Sequence, residues 1–352
     1  MKLKLLLFLS LVVTIETLQA QDIHYSLFNM SPLTLNPALT GAFEGTARVG
    51  GIYRDQWGLG FLQNQYTTPS FYIDAPIIRG FRKSDWVGIG LVLVSDKAGS
   101  AKLETNINAL SASYHLALNK KGTSVLTLGV QGGNTQRKIN LMDNLYNAQN
   151  TDGTLFEDEV EAELGGGGLG YGNSDDRKGG GQKSFLDFNV GLMLRTQVAD
   201  KTPLEVGIVA GHVNTPAYAL RAAGGAGGKR PMRMAAHAKV DLPLKNEKWS
   251  LTPTVFWQTT SKANEIALQT WGNYALNKDF TLRGGLGYRI SDAAKVLFGA
   301  DYKDLRVALA YDLNVSSNPA EVYQGGFEIA AWYILKIYKK PVVKPAILCP
   351  RF

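Results

Sequence analysis

Ser111, Ser113 and His115 alternate along one stretch of chain, and in an extended strand that spacing puts all three side chains on the same face. A serine beside a histidine is the start of a nucleophilic constellation, in which the imidazole takes the hydroxyl proton and a carboxylate orients the imidazole. No spacing supplies the carboxylate, so polar packing is the simpler reading. His24, His212 and His237 lack the i, i+4 pairing of a helical metal site. The run GGGGLGYG contains a formal G-x-G-x-x-G at Gly165, Gly167 and Gly170, but a dinucleotide site needs an apolar strand before it and a helix after it. Acidic residues (Glu157, Asp158, Glu159, Glu161, Glu163) precede it instead, and they lack the spacing of a calcium loop. In GGGQKS, Gln182 separates the last glycine from Lys183 and Ser184, which spoils a phosphate loop. The sequence assigns no catalytic residue, no metal ligand, no cofactor and no nucleic-acid partner.

The elements that would carry such groups are strands. Period-two alternation runs through almost the whole chain. Leu305, Val307, Leu309, Tyr311 and Leu313 oppose Arg306, Asp312 and Asn314, and Leu110, Ala112, Tyr114, Leu116 and Leu118 oppose Ser111, Ser113 and His115. Fourteen segments of this kind are expected near 46–54, 69–76, 85–95, 103–117, 123–134, 185–196, 204–213, 232–243, 249–259, 265–275, 279–290, 295–301, 305–313 and 325–338. Most reach the roughly 9–11 residues that a tilted strand needs to cross a bilayer, whereas soluble strands average nearer five or six. Many of the second faces are small or mixed, which suits a narrow or filled lumen rather than a solvated sandwich face. No repeat of roughly 40–50 residues supports a propeller. The fold class expected is all-β, a transmembrane antiparallel barrel of about 14 strands.

Composition agrees. The 352 residues include 38 glycines and 35 aromatic residues, only 19% are charged, and the mean hydropathy is −0.09, which rules out a bundle of apolar helices. The single cysteine, Cys349, rules out an internal disulfide scaffold.

Residues 1–20 read as an export signal: Lys2 and Lys4, an apolar core from Leu5 to Val13, then Leu18 and Ala20 at the −3 and −1 positions of a cleavage site. The expected organisation continues with an N-terminal periplasmic segment at 21–45, a barrel over 46–338 and a periplasmic tail at 339–352. If the first strand runs outward, the four longest connectors fall on the outer side, including the loop at about 135–184. Short lysine-bearing turns fall on the inner side.

Four features in order resemble one family. They are the S-P-L-x-x-N-P-A core from Ser31 through Pro32, Asn36 and Pro37 to Ala38; YRDQW with Tyr53, Arg54, Gln56 and Trp57; a D-x-A-G turn with Asp96 and Gly99; and a terminal CPRF with Cys349 and Pro350. The set is similar to the PorP/SprF proteins of the type IX secretion and gliding machinery of Bacteroidetes. The acidic, glycine-rich stretch at 150–184 departs from the pattern. The resemblance implies a non-enzymatic barrel in the outer membrane, set in its lipid. Family members partner a secreted adhesin-type cargo or the type IX translocon, and others contact the periplasmic ring or a peptidoglycan-binding lipoprotein. Two other functions stay open on the residues alone: a passive porin or hydrophobic-substrate channel, and a barrel enzyme acting on lipid through His115. Pro32 and Pro37 suit a rigid non-strand segment, and Asn36 is restricted by the proline after it.

Overall fold

The structure is a computed structural model that describes residues 23–56, 66–79, 84–98, 103–119, 122–138, 182–218, 228–260, 263–315 and 325–337. The wall begins with β1 (Ala47–Gln56), β2 (Tyr66–Arg79), β3 (Trp86–Ala98), β4 (Leu103–Ala117) and β5 (Val125–Lys138). It continues with β6 (Gln182–Ala199), β7 (Thr202–Gly211), β8 (Arg233–Val240), the two-residue β9 (Leu242–Pro243) and β10 (Trp249–Thr260). It ends with β11 (Ala263–Ala275), β12 (Phe280–Arg289), β13 (Ala293–Tyr302), β14 (Leu305–Asn314) and β15 (Gly326–Leu335).

Each strand pairs antiparallel with its sequence neighbour, and β1 pairs with β15, Gly50 lying opposite Trp332. β8 and β9 are one wall strand, both laid along β10 in a common register. The interruption at Asp241 lies beside Pro253 of β10, which has no N–H to give to the ladder. The result is a closed barrel of 14 antiparallel strands that overlap all fourteen expected segments.

Alternation decides which face meets which solvent. On β14, Leu305, Val307, Leu309 and Leu313 are exposed on the outside, while Ala308, Ala310 and Asp312 are buried inside. On β4, Leu110 and Tyr114 point out, and Ser111, Ser113 and His115 are buried. Exposed aromatic side chains mark both rims of the apolar band. Tyr53, Trp257 and Tyr288 lie toward one end, and Tyr114, Trp249, Tyr302 and Tyr333 toward the other. Such girdles sit at the two water–lipid boundaries of membrane barrels. Among the described residues no helix is long and apolar enough to cross a membrane; the strands do it.

The two ends of the barrel differ. One, the connector end, carries the links β1–β2, β3–β4, β5–β6, β7–β8, β10–β11, β12–β13 and β14–β15, the longest running from 139 to 181. The other, the turn end, carries the remaining links and the entry to β1. The export signal, residues 150–181 of the acidic, glycine-rich stretch, Trp57, Gly99, the tail, Cys349 and Pro350 lie outside the described residues.

The lumen is filled by the chain's own amino-terminal part. Residues 23–42, expected as a lead-in on the periplasmic side, lie between the walls as three short turns: 3-10 at Phe28–Met30, α at Pro32–Leu35 and 3-10 at Pro37–Leu39. Leu33 and Ala38 are wholly buried, and Leu27, Phe28, Met30, Leu35 and Leu39 nearly so. They pack on inward residues from both halves of the wall, Met193, Val209 and Phe256 on one side and Ile52, Trp271 and Leu297 on another.

Candidate functional site

The S-P-L-x-x-N-P-A motif is this lumen segment. Pro32 and Pro37 each open a helical turn, a position where the missing N–H costs nothing. Asn36 between them is extended (φ −157°, ψ 124°), as a residue before proline prefers to be. Ser31 accepts the Thr34 hydroxyl at its own hydroxyl (2.8 Å) and carbonyl (2.9 Å), which braces the first proline turn.

Asn36 is fully buried and binds in two directions. Its Oδ1 accepts the Ala38 N–H at 2.9 Å, and its Nδ2 lies 3.0 Å from His237 Nε2 on β8. The wall is shaved to admit it. A Cβ on Gly191 of β6 would collide with Asn36 Oδ1, and one on the cross-strand Gly129 of β5 would strike the backbone of Pro37 and Ala38.

Toward the turn end the backbone of 39–42 is claimed group by group. Asp74 accepts the Gly41 N–H at 2.7 Å, and the Trp86 indole donates to Gly41 O at 3.0 Å. Arg48, itself paired with Asp74 at 2.7 Å, donates to Leu39 O; Arg195 donates to Ala42 O. Gly41 has φ +66°, and a Cβ there would come within 2.7 Å of Gly88 Cα. Ser113 donates to Thr40 O at 2.6 Å, His115 Nε2 lies 2.8 Å from the same oxygen, and the Ser111 and Thr40 hydroxyls are 2.6 Å apart. His115 Nδ1 faces the Thr127 hydroxyl at 2.9 Å, where a hydrolase would need a carboxylate, and its ring stacks on Trp86. The serine–histidine constellation is a cradle for Thr40.

Toward the connector end the segment meets a latch of buried charges. Glu328 of β15 is fully buried, and its two oxygens accept the N–H groups of Ser26 (2.6 Å) and Leu27 (2.7 Å). Arg54 of β1 binds Glu328 and reaches Asp312 of β14 at 3.3 Å. The Ser26 hydroxyl donates to Asp312 at 2.6 Å and accepts from Arg289 of β12 at 2.9 Å. Arg289 also pairs with Glu265 of β11 at 3.3 Å and Asp292 at 2.5 Å. Lys295 of β13 faces Asp312 across the ladder, yet among the described residues neither its Nζ nor Asp312 Oδ1 has a hydrogen-bond partner. Three buried cations, Arg54, Arg289 and Lys295, thus face two buried carboxylates, Asp312 and Glu328, and the partly buried Glu265, and such an arrangement is weak support for net stability. His24 stands beside Glu265; burial pulls its imidazole down to about 4, against the pull of the carboxylate and with help from Arg289. Burial raises the Tyr25 phenol, and Glu328 raises it further.

The motifs that are separate in sequence therefore converge. Arg54 and Gln56 of the YRDQW element belong to the latch, Arg54 donating to Gln56 at 3.2 Å. Arg54 lies opposite Thr68 of β2, whose hydroxyl donates to Asp96 of β3 at 2.6 Å, so Asp96 shares that rung of the wall. Tyr53 points the other way, into the lipid rim. Lys183 and Ser184 lie in β6, not in a phosphate loop. Sequence reasoning missed Glu328, Asp312, Arg289, Glu265 and Asp74. Each occupies an inward position on an alternating strand, and nothing in the spacing says that they meet one segment.

Solved barrels similar to this chain include the toluene transporter TbuX of Ralstonia pickettii, at 12% identity with a TM-score of 0.49 over 87% of this chain and 94% of that one. The toluene transporter TodX of Pseudomonas putida shows 13% identity and 0.45 over 87% and 94%. A FadL homologue of Pseudomonas aeruginosa shows 15% and 0.46 over 85% and 92%. No curated protein matches the sequence. The model of the family described as type IX secretion system membrane protein PorP/SprF matches residues 17–333. The chain belongs to that family and is a Bacteroidetes outer-membrane β-barrel with a role associated with type IX secretion, a family and fold that point away from catalysis.

Proposed function

We propose that the protein is a non-enzymatic accessory of the type IX secretion and gliding machinery. In this reading its connector end faces the medium and binds a secreted adhesin-type cargo or the translocon. Its turn end faces the periplasm and meets the ring or a peptidoglycan-binding lipoprotein. The observation that carries the reading is the lumen: residues 23–42 fill it and are hydrogen-bonded to the wall at both ends. A passive porin or hydrocarbon channel needs a continuous passage, and this one is occupied by chain.

Deleting the gene and surveying the medium by proteomics tests the proposal. Loss of one or more C-terminally tagged secreted proteins, with or without loss of gliding, is the expected result. Unchanged secretion of every such protein together with unchanged motility would overturn it. Conductance of the purified barrel separates the porin reading, since large steady currents through the wild-type protein support a pore.

A further inference from the structure

The two ends of the lumen segment are held in different ways. At the turn end, the carbonyls of Leu39, Thr40, Gly41 and Ala42 and the N–H of Gly41 all have wall partners, and a few residues on the chain becomes β1. At the connector end, Ser26 and Leu27 are held from β1, β12, β14 and β15, with β11 and β13 supplying the neighbouring charges. This second hold is incomplete, because Lys295 Nζ and Asp312 Oδ1 are buried without hydrogen-bond partners among the described residues. A partly satisfied buried polar network is costly to keep.

Its members also stand at the edge of the wall. Arg54, Glu265, Arg289, Lys295, Asp312 and Glu328 each lie within three residues of a strand terminus at the connector end, and Asp292 is in the β12–β13 link itself.

We propose that the latch is a release device: a protein seated on the connector end frees residues 23–35, which swing on the fixed 39–42 hinge and open the lumen to an extended stretch of polypeptide. The partner and its side rest on the function proposed above. The room is sufficient, because the turns that leave are about 10 Å across with side chains, wider than a single extended chain.

The test uses the full-length protein carrying Leu33→Cys and Gly90→Cys, a contact between segment and wall outside the latch where a Cβ on Gly90 would lie 2.7 Å from the Leu33 side chain, with Cys349→Ser to remove the native thiol. The two cysteines are joined by oxidation or by dibromobimane in a strain lacking the wild-type gene. The unbridged protein should support secretion, and bridging should cut it at least tenfold. Equal secretion before and after bridging overturns the proposal. In planar bilayers, purified wild-type protein should stay closed, and Glu328→Gln should raise the open time at least tenfold. A Glu328→Gln barrel as closed as wild type overturns the proposal independently of any secretion assay. If deletion of the gene leaves secretion intact, the accessory reading fails alone and the bilayer recording still judges the latch.

Discussion

Asn36 ties the middle of the lumen segment to the wall with one amide, and its removal leaves groups that have nowhere else to turn. Asn36→Ala strips the Ala38 N–H and His237 Nε2 of their partner inside a space closed to water. Each buried group so orphaned costs about 1–3 kcal/mol. The expected outcome is a lower temperature for the heat-induced mobility shift of the purified barrel, with no change in strand content by circular dichroism. His24 supplies a second residue-level prediction, this one in pH. Its imidazole sits at about 4 in the fold, against 6.5 for a free histidine, with Glu265, Arg289, Arg54 and Lys295 as its charged neighbours. The neutral form is the one the fold accepts, so its contribution is complete above pH 6.5. It erodes as the pH falls toward 4, because over that range only the unfolded chain takes up the proton; the loss is on the order of 3 kcal/mol. Thermal unfolding of wild type and His24→Gln, measured between pH 7 and pH 4.5, should show the wild type losing stability faster. Parallel curves would remove His24 from the account.

Among the elements, the crossing of β5 and β6 by the lumen segment is the most sensitive to bulk. Gly191→Ala places a methyl where Asn36 Oδ1 now lies, and overpacking of this kind costs about 1–3 kcal/mol. Limited proteolysis should cut the segment faster in Gly191→Ala, while Gly284→Ala on β12, with open space around its Cβ, should behave as wild type. The strands themselves were legible because lipid and lumen impose opposite demands on successive residues, so that Leu305 to Leu313 announces both its conformation and its two faces. The fate of the segment was half legible. Pro32 and Pro37 exclude a strand, and Leu27, Phe28, Leu33, Leu35 and Leu39 are too many apolar residues for a solvated lead-in. Only a closed wall shows where they are buried. The latch was not legible at all, since Ser26 and Glu328 are 302 positions apart and meet only after the β1–β15 seam has formed. Asp96 shows the same limit: its motif suggests a local turn, whereas its hydroxyl partner comes from β2.

At the level of the whole molecule, closure and occupancy depend on each other. A closed 14-strand wall resists detergent until heated, so boiled and unboiled samples should migrate differently on a denaturing gel; identical mobility would count against a barrel. Cutting out residues 23–42 leaves Glu328 and Asp312 without the Ser26 and Leu27 groups they now bind, and Asp74 without Gly41. Each hydrogen bond to a charged group so lost is worth about 1.5–3 kcal/mol. The truncated barrel should unfold at a lower temperature than wild type and conduct at least tenfold more current.

The direction in which the segment runs bears on how the protein is made. It starts near the connector end, crosses the whole lumen, and leaves at the turn end to begin β1. Its contacts come from strands on every side, so a cylinder already sealed at β1–β15 would offer no side entrance through which to lay it down. The most direct assembly wraps the sheet around residues 23–42, with the seam as the last step. The amino-terminal segment is then a mandrel as well as a stopper, and its loss should appear in pulse-labelled cells as slow maturation before it appears in any finished barrel.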